Sequence, residues 1–358
     1  MSDEPARGRN GAALGPSTRA VHAGLPPAAQ GEPLLPGPVM AAPFHLRGPV
    51  DAAAYGYARD GNPTWTHLER ALGELDGGES VAFASGMAAL SAVVLPRLRP
   101  GDVLVATGDG YPGIRKLAAG HLEPRGVEVR LVPTDTAAIV DAARGAALIW
   151  VETPSNPRLD VCDVAAVAEA AGGALVAVDN TVATPLGMRP LDHGADFAMV
   201  SGTKSLCGHA DLLLGAVSVR DGALAEELRT WRSVTGAVPG PLEAWLAHRS
   251  LATLGLRLER SQANARAVAD ALRGRSADVR WPGVGAVVAF ALPSAEHAQA
   301  FLDACELVSE ATSFGGVHST AERRARWGTD DVPEGFIRFS AGCEDTADLV
   351  QDVLQALP

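Results

Sequence analysis

Residues 147–179 read ALIWVETPSNPRLDVCDVAAVAEAAGGALVAVD. Ala147–Glu152 and Ala174–Asp179 are short apolar runs that each end in a carboxylate, and Val161–Ala171 between them spaces its Val and Ala residues as a helix does. This order predicts a β-α-β unit with two parallel strands buried on both faces. The pattern extends upstream through a helix at Thr64–Leu75, a strand at Ser80–Ala84, a helix at Met87–Leu98, a strand at Asp102–Thr107, a helix at Ile114–Leu122 and a strand at Val127–Pro133. Downstream come strands at Asp196–Ser201 and Leu213–Val219 and a helix at Leu224–Val234. Seven such strands predict an α/β fold, a mostly parallel sheet with helices on both faces.

After this block one long amphipathic helix is expected from Pro241 to Leu272, with Leu246, Leu251, Leu254 and Leu258 near helical spacing. Strands at Gly285–Leu292 and Gly335–Ser340, a helix at Ala295–Ala304 and a closing helix at Thr346–Leu357 predict a smaller C-terminal α+β domain. Residues 1–50 are rich in Gly, Pro and Ala without periodicity and read as an irregular arm. The expected division is an N-terminal arm over 1–50, a large domain over 51–235, and a connecting helix with a small domain over 236–358.

Composition narrows the function. Of 358 residues 47% are hydrophobic and 20% charged, an ordinary globular balance that excludes wholesale disorder. The net charge is -12, and no Lys/Arg cluster interleaved with aromatics offers a phosphate-tracking stripe, so nucleic acid is not the expected partner. Cys162, Cys207, Cys305 and Cys343 are far apart, with no C-x-x-C pair and no His at metal-ligand spacing, so a reduced, cytoplasmic chain without a metal centre is expected. The N-terminus lacks the apolar segment of a signal peptide, and no apolar run approaches the ~18 residues of a membrane span, so a soluble, unprocessed chain is expected.

Gly108-Asp-Gly-Tyr-Pro-Gly113 matches the G-x-G-x-x-G dinucleotide pattern between a strand and a helix, which keeps an NAD(P)-dependent oxidoreductase open as a reading. Against it, Pro112 removes a backbone N–H from the loop that would cradle pyrophosphate, and two βα elements precede the unit. Three other turns at the carboxyl edge of the strands form a stronger set. Ser85-Gly86-Met87 opens a helix, where free amides suit a phosphate. Asp179 ends a strand, where an acid can face a protonated ring nitrogen. Ser201-Gly-Thr203-Lys204 ends another, bringing two hydroxyls and an amine to the same edge. A lone lysine is usually a solvated surface residue, but Lys204 follows an apolar strand among small residues, and such an amine can have its pKa lowered enough to form a Schiff base. Phosphate anchor, ring-nitrogen acid and amine are the set pyridoxal phosphate requires.

With these residues in place the sequence resembles the fold type I pyridoxal-phosphate enzymes of the Cys/Met metabolism family, and is most similar to the bacterial cystathionine gamma-lyases within it. The likeness covers nearly the whole chain. It rests on eight stretches in order: Tyr57–Thr64, Ala84–Ala89, Glu152–Pro157, Val178–Thr181, Ser201–Lys204, Gly236–Pro241, Thr312–Gly316 and Ile337–Ser340. The resemblance implies the aspartate aminotransferase-like architecture and pyridoxal 5'-phosphate as cofactor. It implies that Lys204 carries the cofactor and moves protons, and that Asp179 keeps the pyridine nitrogen protonated. Gly86, Met87, Ser201 and Thr203 are implied to grip the phosphate, with Thr181 and Asn156 also touching the cofactor. Tyr111 is implied to stack on the ring and help move protons. Arg338 is implied to clamp the substrate carboxylate bidentately, and Ser313 to wall the substrate pocket. Tyr57 and Arg59 are implied to reach the phosphate of a neighbouring subunit in a homotetramer built as a dimer of catalytic dimers.

The activity implied is α,γ-elimination of L-cystathionine. Replacement by a cystathionine gamma-synthase or an O-acylhomoserine sulfhydrylase uses the same residues, as does β- or γ-elimination in specialised metabolism. Three departures bear on the substrate. Thr312 stands where many relatives acting on long substrates carry Glu, Gly113 stands where methionine-cleaving relatives carry Cys, and the segment after Trp281 runs straight into a strand where relatives have a longer helical excursion.

Overall fold

The computed structural model describes residues 14–358; the first thirteen residues of the expected arm lie outside them. The large sheet comprises β1 (Glu79–Phe83), β2 (Val103–Thr107), β3 (Glu128–Val132), β4 (Leu148–Glu152), β5 (Leu175–Asp179), β6 (Phe197–Ser201) and β7 (Gly215–Val219), in the order β1-β7-β6-β5-β4-β2-β3. Strand β7 runs antiparallel to both neighbours and the remaining pairs are parallel. No helix lies between β6 and β7, so the chain returns beside the strand it has just left in the opposite direction. Every residue of β2, β4 and β7 is buried, which explains why these strands read as continuous apolar runs. The parallel register sets Glu152 of β4 directly beside Asp179 of β5, two carboxylates at one sheet edge.

The second sheet comprises β8 (Ala277–Arg280), β9 (Val287–Ala291), β10 (Ser309–Glu310), β11 (Thr320–Arg323) and β12 (Phe336–Ser340), in the order β10-β11-β12-β9-β8. Its core packs Phe290, Ile337 and Phe339 against the helices 254–272, 295–304 and 346–355. The antiparallel register of β11 and β12 places Glu322 opposite Arg338. Leu159 and Val182 pack with Phe314, Phe336 and Ala289, joining the two sheets through one apolar seam.

Several elements differ from the sequence reading. The stretch 16–50 is not wholly irregular: α1 (Pro16–His22) buries Ala20, and Ala23 just beyond it is buried too, against α2 (Pro63–Asp76) and the helix 254–272. One buried alanine in a short polar helix and another just past its end leave too little periodicity to read. Helix α3 (Gly86–Val94) stops short of Leu98 because Arg97 turns back and donates to the carbonyls of Ala92 and Val93 at 2.9 and 3.1 Å. The expected single helix over 241–272 is two, Pro241–Leu251 and Leu254–Leu272. The carbonyl of Ser250 is taken by the Thr253 amide and hydroxyl at 3.2 Å and by Arg257 at 2.9 Å, which breaks the ladder there.

Candidate active site

Lys204 sits three residues beyond the end of β6. Its Nζ donates to Ser313 Oγ at 2.7 Å and lies 5.4 Å from the centre of the Phe314 ring. Burial, reinforced by the Arg338 cation and opposed by Glu322 and Asp179, lowers the amine's pKa from 10.5 to about 8. Ser313 holds φ at 80°, a conformation that L-residues adopt under constraint, and its carbonyl accepts from Arg338 at 2.8 Å. One strained residue therefore joins the amine and the guanidinium. Together with Phe314 it forms part of the wall of a cavity of about 830 Å³ that also takes in Thr312, His209, His318 and Glu243.

Asp179 is buried at the end of β5, and its Oδ1 accepts from the Thr181 amide at 3.0 Å and hydroxyl at 2.5 Å. Burial raises its carboxyl to about 6, against the pull of those hydrogen bonds and of Lys204. Its Oδ2 has no hydrogen-bond partner among the described residues. The Thr181 hydroxyl accepts from the Ser201 amide at 2.8 Å, tying β5 to β6. Glu152, beside Asp179, accepts from the Tyr111 amide at 2.6 Å and the Asn156 amide at 2.8 Å. Burial first, and then the charge of Asp179, push its carboxyl well up.

Ser85 caps α3 by accepting from the Ala88 amide at 3.1 Å, so Gly86 and Met87 supply the first two amides of the helix without partners among the described residues. A Cβ at Gly86 would lie 2.9 Å from the Ser201 side chain, so only glycine lets this turn approach β6. Ser201 Oγ thereby stands beside the helix start, whereas the Thr203 hydroxyl is engaged with both the carbonyl and the amide of Leu214.

Asn156 is buried, with its Oδ1 accepting from Arg338 at 2.7 Å. Arg338 is 4% exposed, and its remaining bonds go to the Ser313 carbonyl and to Glu322. Tyr111 is half exposed, and Gly113 beneath it is tight: a Cβ there would lie 2.5 Å from Met87 Sδ and 2.7 Å from the Tyr111 ring. Tyr57 and Arg59 are exposed, with the guanidinium 5.6 Å from the phenol ring centre, and neither bonds to the residues around Lys204.

The structure thus gathers Lys204, Ser313, Arg338 and Asn156 through direct contacts. Asp179, Thr181 and Ser201 form a second connected group that meets Gly86, and Tyr111 joins Asn156 through Glu152. Sequence reasoning gave no role to Glu152 or Glu322, because strand register, not local sequence, brings them to the site. It also missed His209, His318 and Glu243, which no spacing singles out.

The residues fit pyridoxal phosphate on the chemistry of the donor set: a desolvated amine, a buried carboxylate with one open oxygen, and a glycine-opened helix start beside a serine hydroxyl. The Gly108–Gly113 loop does not fit a dinucleotide. Its Gly108 amide bonds to the Val132 carbonyl, its Tyr111 amide is held by a carboxylate, and Pro112 has none. A larger hollow, about 1280 Å³, borders Trp281 and Arg158 and contains none of the residues gathered around Lys204.

Comparison with known proteins gives the same result. The pattern that defines the Cys/Met metabolism PLP-dependent enzymes matches residues 17–358. A Streptomyces coelicolor protein described as "Putative cystathionine gamma-lyase" is 55% identical over 374 residues, covering 98% of this chain and 95% of that one. A Mycobacterium tuberculosis cystathionine gamma-synthase is 37% identical, covering 96% of this chain and 97% of that one. The crystal structure of apo CalE6, described as a methionine gamma lyase from Micromonospora echinospora, superposes with a TM-score of 0.90 at 38% identity, covering 96% of this chain and 99% of that one.

Proposed function

Because this chain belongs to the Cys/Met metabolism PLP-dependent enzymes and uses pyridoxal phosphate, we propose that it is a carbon–sulfur lyase of the cystathionine gamma-lyase type. With water, L-cystathionine yields L-cysteine, 2-oxobutanoate and ammonia. The observation that carries this reading is the path Lys204–Ser313–Arg338, which sets a mobile base one residue away from a guanidinium suited to an α-carboxylate. The 55% identical relative supports lyase over synthase.

Bound at this edge, the cofactor supplies an electron sink for the carbon acid beside the substrate amine. Asp179 would hold the ring nitrogen protonated through its open oxygen. Gly86 and Met87 would offer amides, and Ser201 a hydroxyl, to the phosphate, while the Thr203 hydroxyl stays bonded to Leu214. Arg338 would fix the substrate carboxylate, with Asn156 orienting that guanidinium and facing the cofactor's ring hydroxyl when it is bound. Lys204, neutral above about pH 8, would serve as base at Cα and, after passing that proton on, at Cβ. Tyr111 moves a proton at the amine or the departing sulfur.

Tyr57 and Arg59 complete the phosphate site of a second copy within a homotetramer; their exposure away from their own chain's site supports this. Four free cysteines support a cytoplasmic setting, and no helix among the described residues is long and apolar enough to cross a membrane. Gly113 supports a substrate other than methionine, since the Met87–Tyr111 gap admits no larger side chain unmoved.

The second reading, γ-replacement, is favoured by the synthase that matches over nearly its full length. Product analysis separates the two. The holoenzyme with cystathionine alone is expected to release 2-oxobutanoate and cysteine, and Lys204→Ala to release neither and to bind no cofactor covalently. Cystathionine accumulating from an acylated homoserine and cysteine, without cleavage of added cystathionine, overturns the lyase reading.

A further inference from the structure

Arg338 does not stand alone behind the substrate pocket. Glu322, 2% exposed, accepts from it and also from Arg324 at 2.9 Å, the Trp327 indole at 2.9 Å and the Thr312 hydroxyl at 3.3 Å. Burial pushes the Glu322 carboxyl up, but Arg338, Trp327 and Arg324 outweigh it and hold the group below the usual carboxylate range. Arg324 is itself buried and turns its other edge to Asp330, with Nε and Nη2 donating to one oxygen at 3.0 and 2.5 Å. The second Asp330 oxygen is buried without a hydrogen-bond partner among the described residues and lies 3.7 Å from Arg115. Arg115 donates to the Gly110 carbonyl at 3.0 Å and to the Thr329 carbonyl at 2.5 Å, so the row ends on the loop that carries Tyr111.

Charges alternate along this row. Arg338, Arg324 and Arg115 are three cations against the two carboxylates Glu322 and Asp330, which leaves one positive charge uncompensated. Without Arg324 the remaining groups would cancel, and Glu322 would neutralise Arg338 at the point where a carboxylate has to bind. In a buried setting such an imbalance is felt strongly.

We propose that Arg324 is a positioning residue that shares the Glu322 carboxylate so that Arg338 keeps a net positive charge for the α-carboxylate of an amino-acid substrate. This rests on the reading of Arg338 as the carboxylate clamp. Asp330 holds the Arg324 fork in place and at the same time opposes it electrostatically, so the two residues have opposite effects on carboxylate binding.

The test titrates the holoenzyme with L-alanine, which has no side-chain leaving group, and with ethylamine, the same amine without the carboxylate, following the cofactor's absorption. The ratio of the two dissociation constants isolates the carboxylate. Arg324→Met is expected to reduce that preference by about tenfold. Asp330→Asn is expected to keep or increase it, and Arg324→Lys, which retains the charge but loses the fork, to reduce it by less than Arg324→Met does. Equal losses in Arg324→Met and Asp330→Asn, or no loss in Arg324→Met, overturn the proposal. If Arg324→Met does not fold, a fall of tenfold or more in Arg324→Lys overturns it as well. Arg338→Lys is the control: a preference unchanged there sinks the clamp reading itself, independently of Arg324.

Discussion

The carboxylates at the edge of the large sheet and those on the small sheet are buried alike but behave differently. Glu152 and Asp179 lie side by side on β4 and β5, and burial pushes both upward. Lys204 nearby is pushed down. On β11, Glu322 is buried to the same degree yet is held in its charged form by two arginines and an indole. Burial penalises charge in both places, and the difference is whether the chain supplies the counter-charge. The small-sheet cluster pairs its carboxylates with arginines and keeps one positive charge over, so it can hold a substrate carboxylate in fixed geometry. At the large-sheet edge Lys204 alone offsets two carboxylates, and a protonated ring nitrogen would add a second cation. Conformational strain supports the same division: Ser313, with its positive φ, sits where the two clusters meet.

The most damaging way to probe the large-sheet edge is Asp179→Asn. Activity is expected to fall by ~10³-fold, the scale seen when a group that stabilises developing charge is removed. Stability of the cofactor-free protein should move the other way. The Asp179 carboxyl rises from 3.8 to about 6 on folding, so its contribution is present below pH 3.8 and is lost as the pH rises through 6. At about 1.4 kcal/mol per pKa unit, ionised Asp179 costs up to about 3 kcal/mol at pH 7. Urea unfolding of the apoprotein should therefore show the variant gaining on wild type as the pH rises from about 4 to 6 and keeping that gain above it. A variant that loses stability over that range would mean that Asp179 is already paired.

A second probe uses Lys204 and is smaller in scale. An amine that titrates near pH 8 rather than 10.5 is neutral, and so nucleophilic, at lower pH than an ordinary lysine. Covalent capture of added pyridoxal phosphate by the apoprotein should accelerate about tenfold per pH unit below 8 and level off above it. Stopped-flow absorbance from pH 6 to 10 measures this. A rate still climbing at pH 10 would show that the amine is solvated and that the two clusters do not differ as described.

Much of the large-sheet half was legible in the sequence, and much less of the other half. Strand ends such as Asp179 and Ser201 announce themselves because a polar residue after a fully apolar run has to sit at the sheet edge. Lys204 follows from the same logic. Arg338 lies in a strand that was equally readable, but its partner Glu322 belongs to β11, four residues of mostly polar character, TAER, which reads as a solvated segment. Strands β8 and β10 are similarly short or exposed and were not foreseen. The helix Thr136–Ala142 was missed because it buries only Ile139. What pattern reading does not reach is register: nothing local in Glu152 or Glu322 shows which residue the neighbouring strand sets beside it.

Register is also where the mildest test applies. In Glu152→Gln one side-chain oxygen remains to accept from Tyr111 or Asn156, while the new NH2 faces the other amide. That leaves a buried donor unsatisfied, at a cost of about 1–3 kcal/mol. Loosening the Tyr111 loop should lower kcat by about tenfold with little change in KM, because Arg338 and Lys204 keep their contacts. The same substitution also removes the carboxylate beside Asp179. If the two carboxyls are coupled, the stability gain of Asp179→Asn should change by ~1 kcal/mol in a background that already carries Glu152→Gln, the coupling expected of residues in contact. A double-mutant cycle in urea at pH 7 reads that difference directly. An additive result would assign the rise at Glu152 to burial alone. The contrast between the two clusters would then be one of solvation at individual residues, and the paired carboxylates at the sheet edge would be neighbours without an electrostatic consequence.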